Sequence, residues 1–210
     1  MRCYGPVPRG RSSSAGAARL GLSTPVPAID MGTYVAMLRS INLGGHNRIP
    51  MADLRALISS LGFGDVVTYV QSGNVVLTGS GSASAVARTI EERITTDLGL
   101  AVPVLVRSKQ QLRRTLADTP YGHLDADPKT VHVTFLAERP DPALVGELRA
   151  KAGTFGSDSF EVIGSEVHLH CPGGYGKTTL NNAYLERRLG VVATTRNWRT
   201  VTMLAGMAGL

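Results

Sequence analysis

The chain has 210 residues, 43% hydrophobic and 18% charged, which allows one large domain or two small ones and excludes wholesale disorder. No apolar run approaches the roughly 20 residues of a membrane helix, and two cysteines cannot build a disulfide framework or a four-cysteine zinc site. The net charge is +6 and the pI near 9.7, which invites a nucleic-acid reading that the placement of the charge must decide.

Residues 1–30 are rich in Gly, Pro, Ser and Ala without a period, so a disordered leader is expected there. Met31 is followed at once by a strand pattern and reads as the true start, with the upstream residues a mis-called extension; an Arg- and Ser-rich transit peptide is the alternative. Thr33–Arg39 is a strand-like apolar run. Pro50 opens a helix with Met51, Leu54, Leu57, Ile58 and Leu61 on one face, closed by Gly62. Val66–Val70 and Asn74–Thr78 form a hairpin around Gln71-Ser72-Gly73. A helix with Val86, Ile90, Ile94 and Leu98 spaced by four stops at Gly99, and Val102–Arg107 is a strand.

The second half repeats this order more loosely. Ser108 and Gln111 form a capping box for a connecting helix. A strand at Val131–Phe135, a helix opened by Asp141-Pro142, and a hairpin of Phe160–Ile163 with Glu166–His170 follow. Thr178–Leu189 is a helix stopped by Gly190, Val191–Thr195 an extended piece, and Asn197–Ala205 a last helix. The expected fold is therefore α+β: two ferredoxin-like (β-α-β-β-α-β) modules with antiparallel sheets, over 31–107 and 108–210, behind the leader at 1–30.

Charge is concentrated in two places. Residues 1–30 carry Arg2, Arg9, Arg11 and Arg19 against Asp30, and residues 177–199 carry Lys177, Arg187, Arg188, Arg196 and Arg199 against Glu186. The second stretch singles out two motifs. Pro172-Gly173-Gly174-Tyr175-Gly176-Lys177-Thr178 lacks the first glycine of a nucleotide-hydrolysing loop, because Cys171 stands there. Its backbone N–H groups beside Lys177, at the start of a helix capped by Thr178, still suit an anion. Thr194-Thr195-Arg196-Asn197-Trp198 offers a planar donor fork on Arg196, with Thr195 as the expected cap of the last helix.

A third polar segment, Arg39 to Arg48, joins the first strand to the first helix and is longer than such connections usually are. Gly44-Gly45 lets its N–H groups turn toward a ligand at a helix start. In a ferredoxin-like module this loop is expected at the opposite end of the sheet from the Gln71–Asn74 hairpin. His168 and His170 share a strand face beside Cys171, but with Val167 and Leu169 read as inward the histidines read as a solvated face, and no metal site is expected. The sheets lack an aromatic platform for stacking bases, so nucleic acid is an unlikely partner.

Taken together, Arg39–Met51, Thr68-Tyr69-Val70-Gln71-Ser72-Gly73-Asn74-Val75-Val76, the Pro172–Thr178 loop and Ala193–Trp198 resemble the bacterial domain-of-unknown-function family 1697, over about Tyr34 to Leu204. The resemblance implies a soluble bacterial α+β protein of two similar subdomains and supplies no activity. The leader and His168 depart from the family pattern.

The expected function is binding of an anionic or phosphate-bearing small molecule, without a cofactor. The candidate ligand residues are Arg39, Asn42, Gly44, Gly45, Asn47, Arg48, Gly174, Gly176, Lys177, Thr178, Thr195, Arg196 and Asn197. This reading requires Arg39, Lys177 and Arg196 to meet in one hollow. Two alternatives stay open. One is a transferase or hydrolase of a phosphorylated substrate, with His46 or Asp53 as the base and Arg196 and Lys177 steadying charge. The other is purely structural, with Arg196 and Asn74 bonding across the module interface.

Overall fold

The computed structural model describes residues 1–3, 5, 31–42, 44, 47–121, 127 and 129–210. The leader expected at 1–30 falls almost wholly outside these, as do the site candidate Gly45 and the candidate base His46. Among the described residues no helix is long and apolar enough to cross a membrane.

The first sheet is built from β1 (Gly32–Leu38), β2 (Gly64–Tyr69), β3 (Asn74–Gly79) and β4 (Val104–Ser108), in the order β2-β3-β1-β4 and antiparallel throughout. Helices α1 (Met51–Ser60) and α2 (Ala83–Leu98) cover its outer face. Val86, Ile90 and Ile94 of α2 pack with Leu54 and Ile58 of α1 against Ala36, Leu38, Val75 and Leu77. Ser82 caps α2 through Ala85 N–H, and Gly99 ends it in the left-handed conformation at φ 65°.

The second sheet contains β5 (Val131–Leu136), β6 (Ser159–Ile163), β7 (Glu166–His170) and β8 (Ala193–Asn197), in the order β6-β7-β5-β8. Helices α4 (Pro142–Arg149) and α5 (Asn182–Leu189) cover its outer face, where Val167, Leu169 and Leu180 are buried. Both sheets have the strand order of a ferredoxin-like unit, and the extended piece before the last helix is a true fourth strand. The α+β class and the antiparallel sheets read from the sequence hold.

The inner faces of the two sheets share a third core. Val35, Met37, Val76 and Leu105 from the first sheet meet Val133 and Phe135 from the second. Two helices fill the seam: α3 (Lys109–Ala117) with Leu112, and α6 (Trp198–Met207) with Val201, Leu204 and Ala205. The Ser108–Gln111 capping box that opens α3 is present, each side chain bonding the other's backbone N–H. Strand alternation places every second residue on this inner face. It holds Asn74 of β3, Arg107 of β4, His168 of β7 and Arg196 of β8 beside the apolar core.

His168 corrects the solvated-face expectation, because it is 1% exposed. The second sheet is covered on both faces, so alternation with Val167 and Leu169 carries no inside–outside information there.

Candidate functional site

The cleft follows from how β1 ends. β1 runs antiparallel to β3, with Met37 opposite Asn74, so the chain leaving β1 emerges beside the β2–β3 hairpin. The sequence expectation that loop and hairpin lie at opposite ends of the sheet is therefore overturned by the strand pairing itself. Leu38 N–H donates to Gly73 O at 2.8 Å. Asn42 then sews the two segments together: its Nδ2 donates to Gln71 O at 2.9 Å and to Ile49 O at 3.0 Å, while its Oδ1 accepts Ile49 N–H at 2.9 Å.

The backbone here is held in costly conformations. Ser40, Asn42, Asn47 and Val70 have φ of 56°, 55°, 48° and 50°, four of the five non-glycine residues with positive φ among those described. Asn tolerates this region, whereas a β-branched valine rarely enters it. Gly73, at φ 71°, has no room for a side chain, because a Cβ would lie 2.7 Å from Ile41 Cδ1.

Between loop and hairpin lies a cleft of about 540 Å³ lined by Asn42, Arg48, Ile49, Pro50 and Gln71. Arg48 and Gln71 are exposed. Helix α1 starts at the cleft with Pro50 in the cap position and no side-chain cap, leaving its first-turn N–H groups without an internal acceptor. Asp53, in that same turn, already offers the helix dipole a negative charge. Asn47 donates back to Ser40 O at 3.4 Å, and Gly44 adopts φ 57°.

The remaining candidates are placed differently, and the shared hollow of Arg39, Lys177 and Arg196 is not formed. Arg39 forks onto Glu186 of α5, with Nε to Oε1 at 2.8 Å and Nη2 to Oε2 at 2.6 Å, and Nε also reaches Ala193 O. Glu186 Oε1 in turn accepts Ala193 N–H. Arg196 has a neutral acceptor for each of its five N–H groups: Asn74 Oδ1, Thr194 Oγ1, Thr195 O, Leu38 O and Ser72 O. Desolvation without a carboxylate partner lowers its pKa to about 10.

The glycine-rich loop lies on the other face of the second sheet. Tyr175–Lys177 is a single 3-10 turn, and Tyr175 stacks on His132 with ring centroids 4.7 Å apart. The Tyr175 hydroxyl donates to Thr195 Oγ1, which also bonds Thr134 and donates to Asn182 Oδ1 at 2.6 Å. Burial raises the Tyr175 pKa. Thr195 therefore belongs to this outward-facing network, and Asn197 rather than Thr195 caps α6, accepting Thr200 N–H at 2.8 Å.

Thr178 does not cap a helix either. It is extended, its Oγ1 accepts Leu180 N–H, and α5 begins only at Asn182 under the Asn181 cap. The N–H groups of Gly174 and Gly176 thus do not line the start of α5. Lys177 is exposed.

The sequence reading passed over Arg107. It is almost fully buried and bonds Glu166 at 2.6 Å, Leu136 O at 2.6 Å and Ser165 O at 3.2 Å, a second clamp from the first sheet to the second. Its position on an inner strand face next to Leu105 was the available signal. Among the described residues no group of three His, Cys, Asp or Glu side chains could hold a metal ion.

With this geometry in view, residues 31–168 match the family described as "Protein of unknown function (DUF1697)". The chain belongs to this family. The matched span takes in the Asn42 loop and the hairpin, while the glycine-rich loop and β8 lie beyond it. Among solved structures the chain is similar to the conserved bacterial protein SP0830 from Streptococcus pneumoniae, with a TM-score of 0.67 and 22% identity over 85% of this chain and 99% of that one. At that identity the likeness concerns the fold. No curated protein matches the chain.

Proposed function

We propose that this protein binds a small anionic or phosphate-bearing molecule in the cleft between the β1–α1 loop and the β2–β3 hairpin. The observation that carries this reading is the cleft lined by Asn42, Arg48 and Gln71, with Ser40, Asn42, Asn47 and Val70, all at positive φ, in the two segments that border it. Such conformations cost about 1–3 kcal/mol each and persist where the surroundings impose them, commonly at ligand sites. The uncapped start of α1 supplies N–H donors and a positive dipole end, and Arg48 at the rim supplies a cation. Gln71 adds an exposed amide on the opposite wall.

Arg39 and Arg196 serve this site from outside it. They hold β8 and α5 against the end of β1 and the hairpin, so the cleft wall is fixed before any ligand arrives.

Thermal-shift measurements with inorganic phosphate, sugar phosphates, nucleotides and polyphosphate test the reading. A ligand at about 100 times its Kd stabilises the folded state by about 2.7 kcal/mol, a readily visible rise in Tm. Arg48→Ala should abolish the rise and leave the unliganded Tm unchanged, since Arg48 is exposed and has no hydrogen-bond partner among the described residues. If none of these compounds raises Tm, the proposal fails.

A further inference from the structure

We propose that the outer face of α6 is the contact surface for a second copy of this chain, the two helices packing antiparallel about a two-fold axis near Met203. On α6, Arg199, Met203 and Gly206 fall along one line, and Leu210 follows after the helix has ended at Met207. That line is opposite Val201, Leu204, Ala205 and Ala208, which fill the seam between the sheets. Met203 is 45% exposed and Leu210 36%, while Met207 flanks the line half-buried. Beyond Arg199 the chain carries no charged side chain. An exposed helix face whose only charge, Arg199, sits in its first turn is unusual on a protein of this composition and marks a contact surface.

The apolar surface continues off the helix. A groove of about 390 Å³ runs from Met207, Ala208 and Gly209 to Val67 and Asp65 of β2, and Val67 is 49% exposed. Gly206 lies in the last turn of α6, and a Cβ there would meet nothing within 4 Å. The monomer therefore has no packing reason for glycine at a position where it weakens a helix. Close approach of another backbone supplies one.

The charges at the two ends of the stripe choose the occupant. A two-fold contact sets a surface against itself, so an uncharged centre is compatible and a charged one is not. With the axis near Met203, Arg199 of one copy stands level with Met207 of the other, beside which Asp65 lines the groove. Neither Arg199 nor Asp65 forms an ion pair among the described residues, and both are exposed. Antiparallel packing brings each Arg199 toward the partner copy's Asp65, twice over. Lys109, whose Nζ lies 3.0 Å from where a Gly209 Cβ would stand, approaches the same end of α6 from α3.

Sedimentation equilibrium on the full chain tests the contact. The expected mass rises with concentration from 22.2 kDa toward twice that value, over a range on the order of 1–100 µM. Gly206→Arg should return it to the monomer with an unchanged circular dichroism spectrum, since the side chain has open space in the monomer. Arg199→Glu should weaken the dimer roughly threefold. Adding Asp65→Asn should recover part of that loss by removing the like-charge pair, asparagine tolerating the φ of 47° at this position. In a Cys3→Ser background, Met203→Cys should give a disulfide-linked dimer on mild oxidation. A wild-type chain that stays monomeric throughout the range overturns the proposal, as does a dimer that survives Gly206→Arg. Flotation of a monomeric chain with phosphatidylglycerol vesicles would assign the face to a lipid surface and likewise overturn it.

Discussion

Arg196 Nε donates to Asn74 Oδ1 at 2.5 Å, joining the fourth strand of the second sheet to the first residue of β3 across most of the chain. Asn74 is fully buried, and its Nδ2 donates to Tyr69 O and Ser72 Oγ, so the amide has a partner on each side. The guanidinium adds Leu38 O and Ser72 O, the carbonyls that end β1 and turn the hairpin. Replacing Arg196 with alanine strands several acceptors at once. The expected loss is about 3 kcal/mol, given about 1–3 kcal/mol for each buried polar group left unpaired. Lysine should rescue little of it, because a point charge cannot reproduce the fork. Urea denaturation reads the change, and a midpoint shared by wild type, alanine and lysine variants would reduce Arg196 to a bystander.

The Arg39–Glu186 pair is a different kind of link, with side chains 28% and 22% exposed. Solvent screens it, so a double-mutant cycle with Arg39→Ala and Glu186→Ala should return a coupling of about 1 kcal/mol. Each single variant also loses a bond to Ala193 at the start of β8, Arg39 Nε to its carbonyl and Glu186 Oε1 to its N–H, so the two losses should be similar. Additive losses with no coupling would contradict the geometry.

Acid should loosen the seam between the sheets. Burial lowers the His168 pKa from 6.5 to about 4, against the opposing pull of Asp118 and Glu161. The unfolded chain binds a proton near pH 6.5 that the folded chain refuses until about pH 4, so stability is full above 6.5 and declines as the pH falls between these values. A shift of this size is worth up to about 3 kcal/mol. His132, lowered by its own burial, acts in the same direction. His168→Gln should flatten the stability profile between pH 6.5 and 4 relative to wild type, measured by chemical denaturation at each pH. Parallel profiles would mean that other groups govern the acid response.

Val70 stores strain that a single substitution can release. It is half exposed at φ 50°, so its side chain contributes little packing while its backbone is held in an unfavourable region. Val70→Asn should raise stability by about 1 kcal/mol. Asparagine keeps the same turn and Val70 does not line the cleft, so the variant should leave phosphate-dependent thermal shifts in place. A destabilised Val70→Asn would show that the valine side chain, not the turn, is what the site keeps.

Much of the architecture was legible because local chemistry and tertiary demand agree in it. The period-four spacing of Val86, Ile90 and Ile94 with Gly99 behind it, and the Ser108–Gln111 box, each describe one element completely. Where two polar residues compete for one role, local chemistry fell short. Thr178 and Asn181 are both competent caps, and the choice was made by the 3-10 turn, which leaves Thr178 extended well before α5 begins at Asn182. Thr195 lost the cap of α6 to Asn197 because strand pairing with Thr134 aims it at Tyr175. A guanidinium suited to phosphate is equally suited to a ring of carbonyls, so the sequence leaves both readings of Arg196 open, and the pairing of sheets gives the bond to Asn74 that the structural alternative expects. The loop and hairpin were recognised as polar turns, but their shared cleft depends on β1 running against β3, a long-range relation that neither segment encodes alone.

The order of synthesis gives α6 a particular burden. Val35, Met37 and Val76 leave the ribosome early, yet the helix that roofs them is made only after the whole second sheet. Nascent chains carry that oily surface only partly covered, by Leu112 and then Val133 and Phe135, until Val201 and Leu204 emerge, and any message that stops short of Trp198 yields a product fit for chaperones and proteases rather than for work.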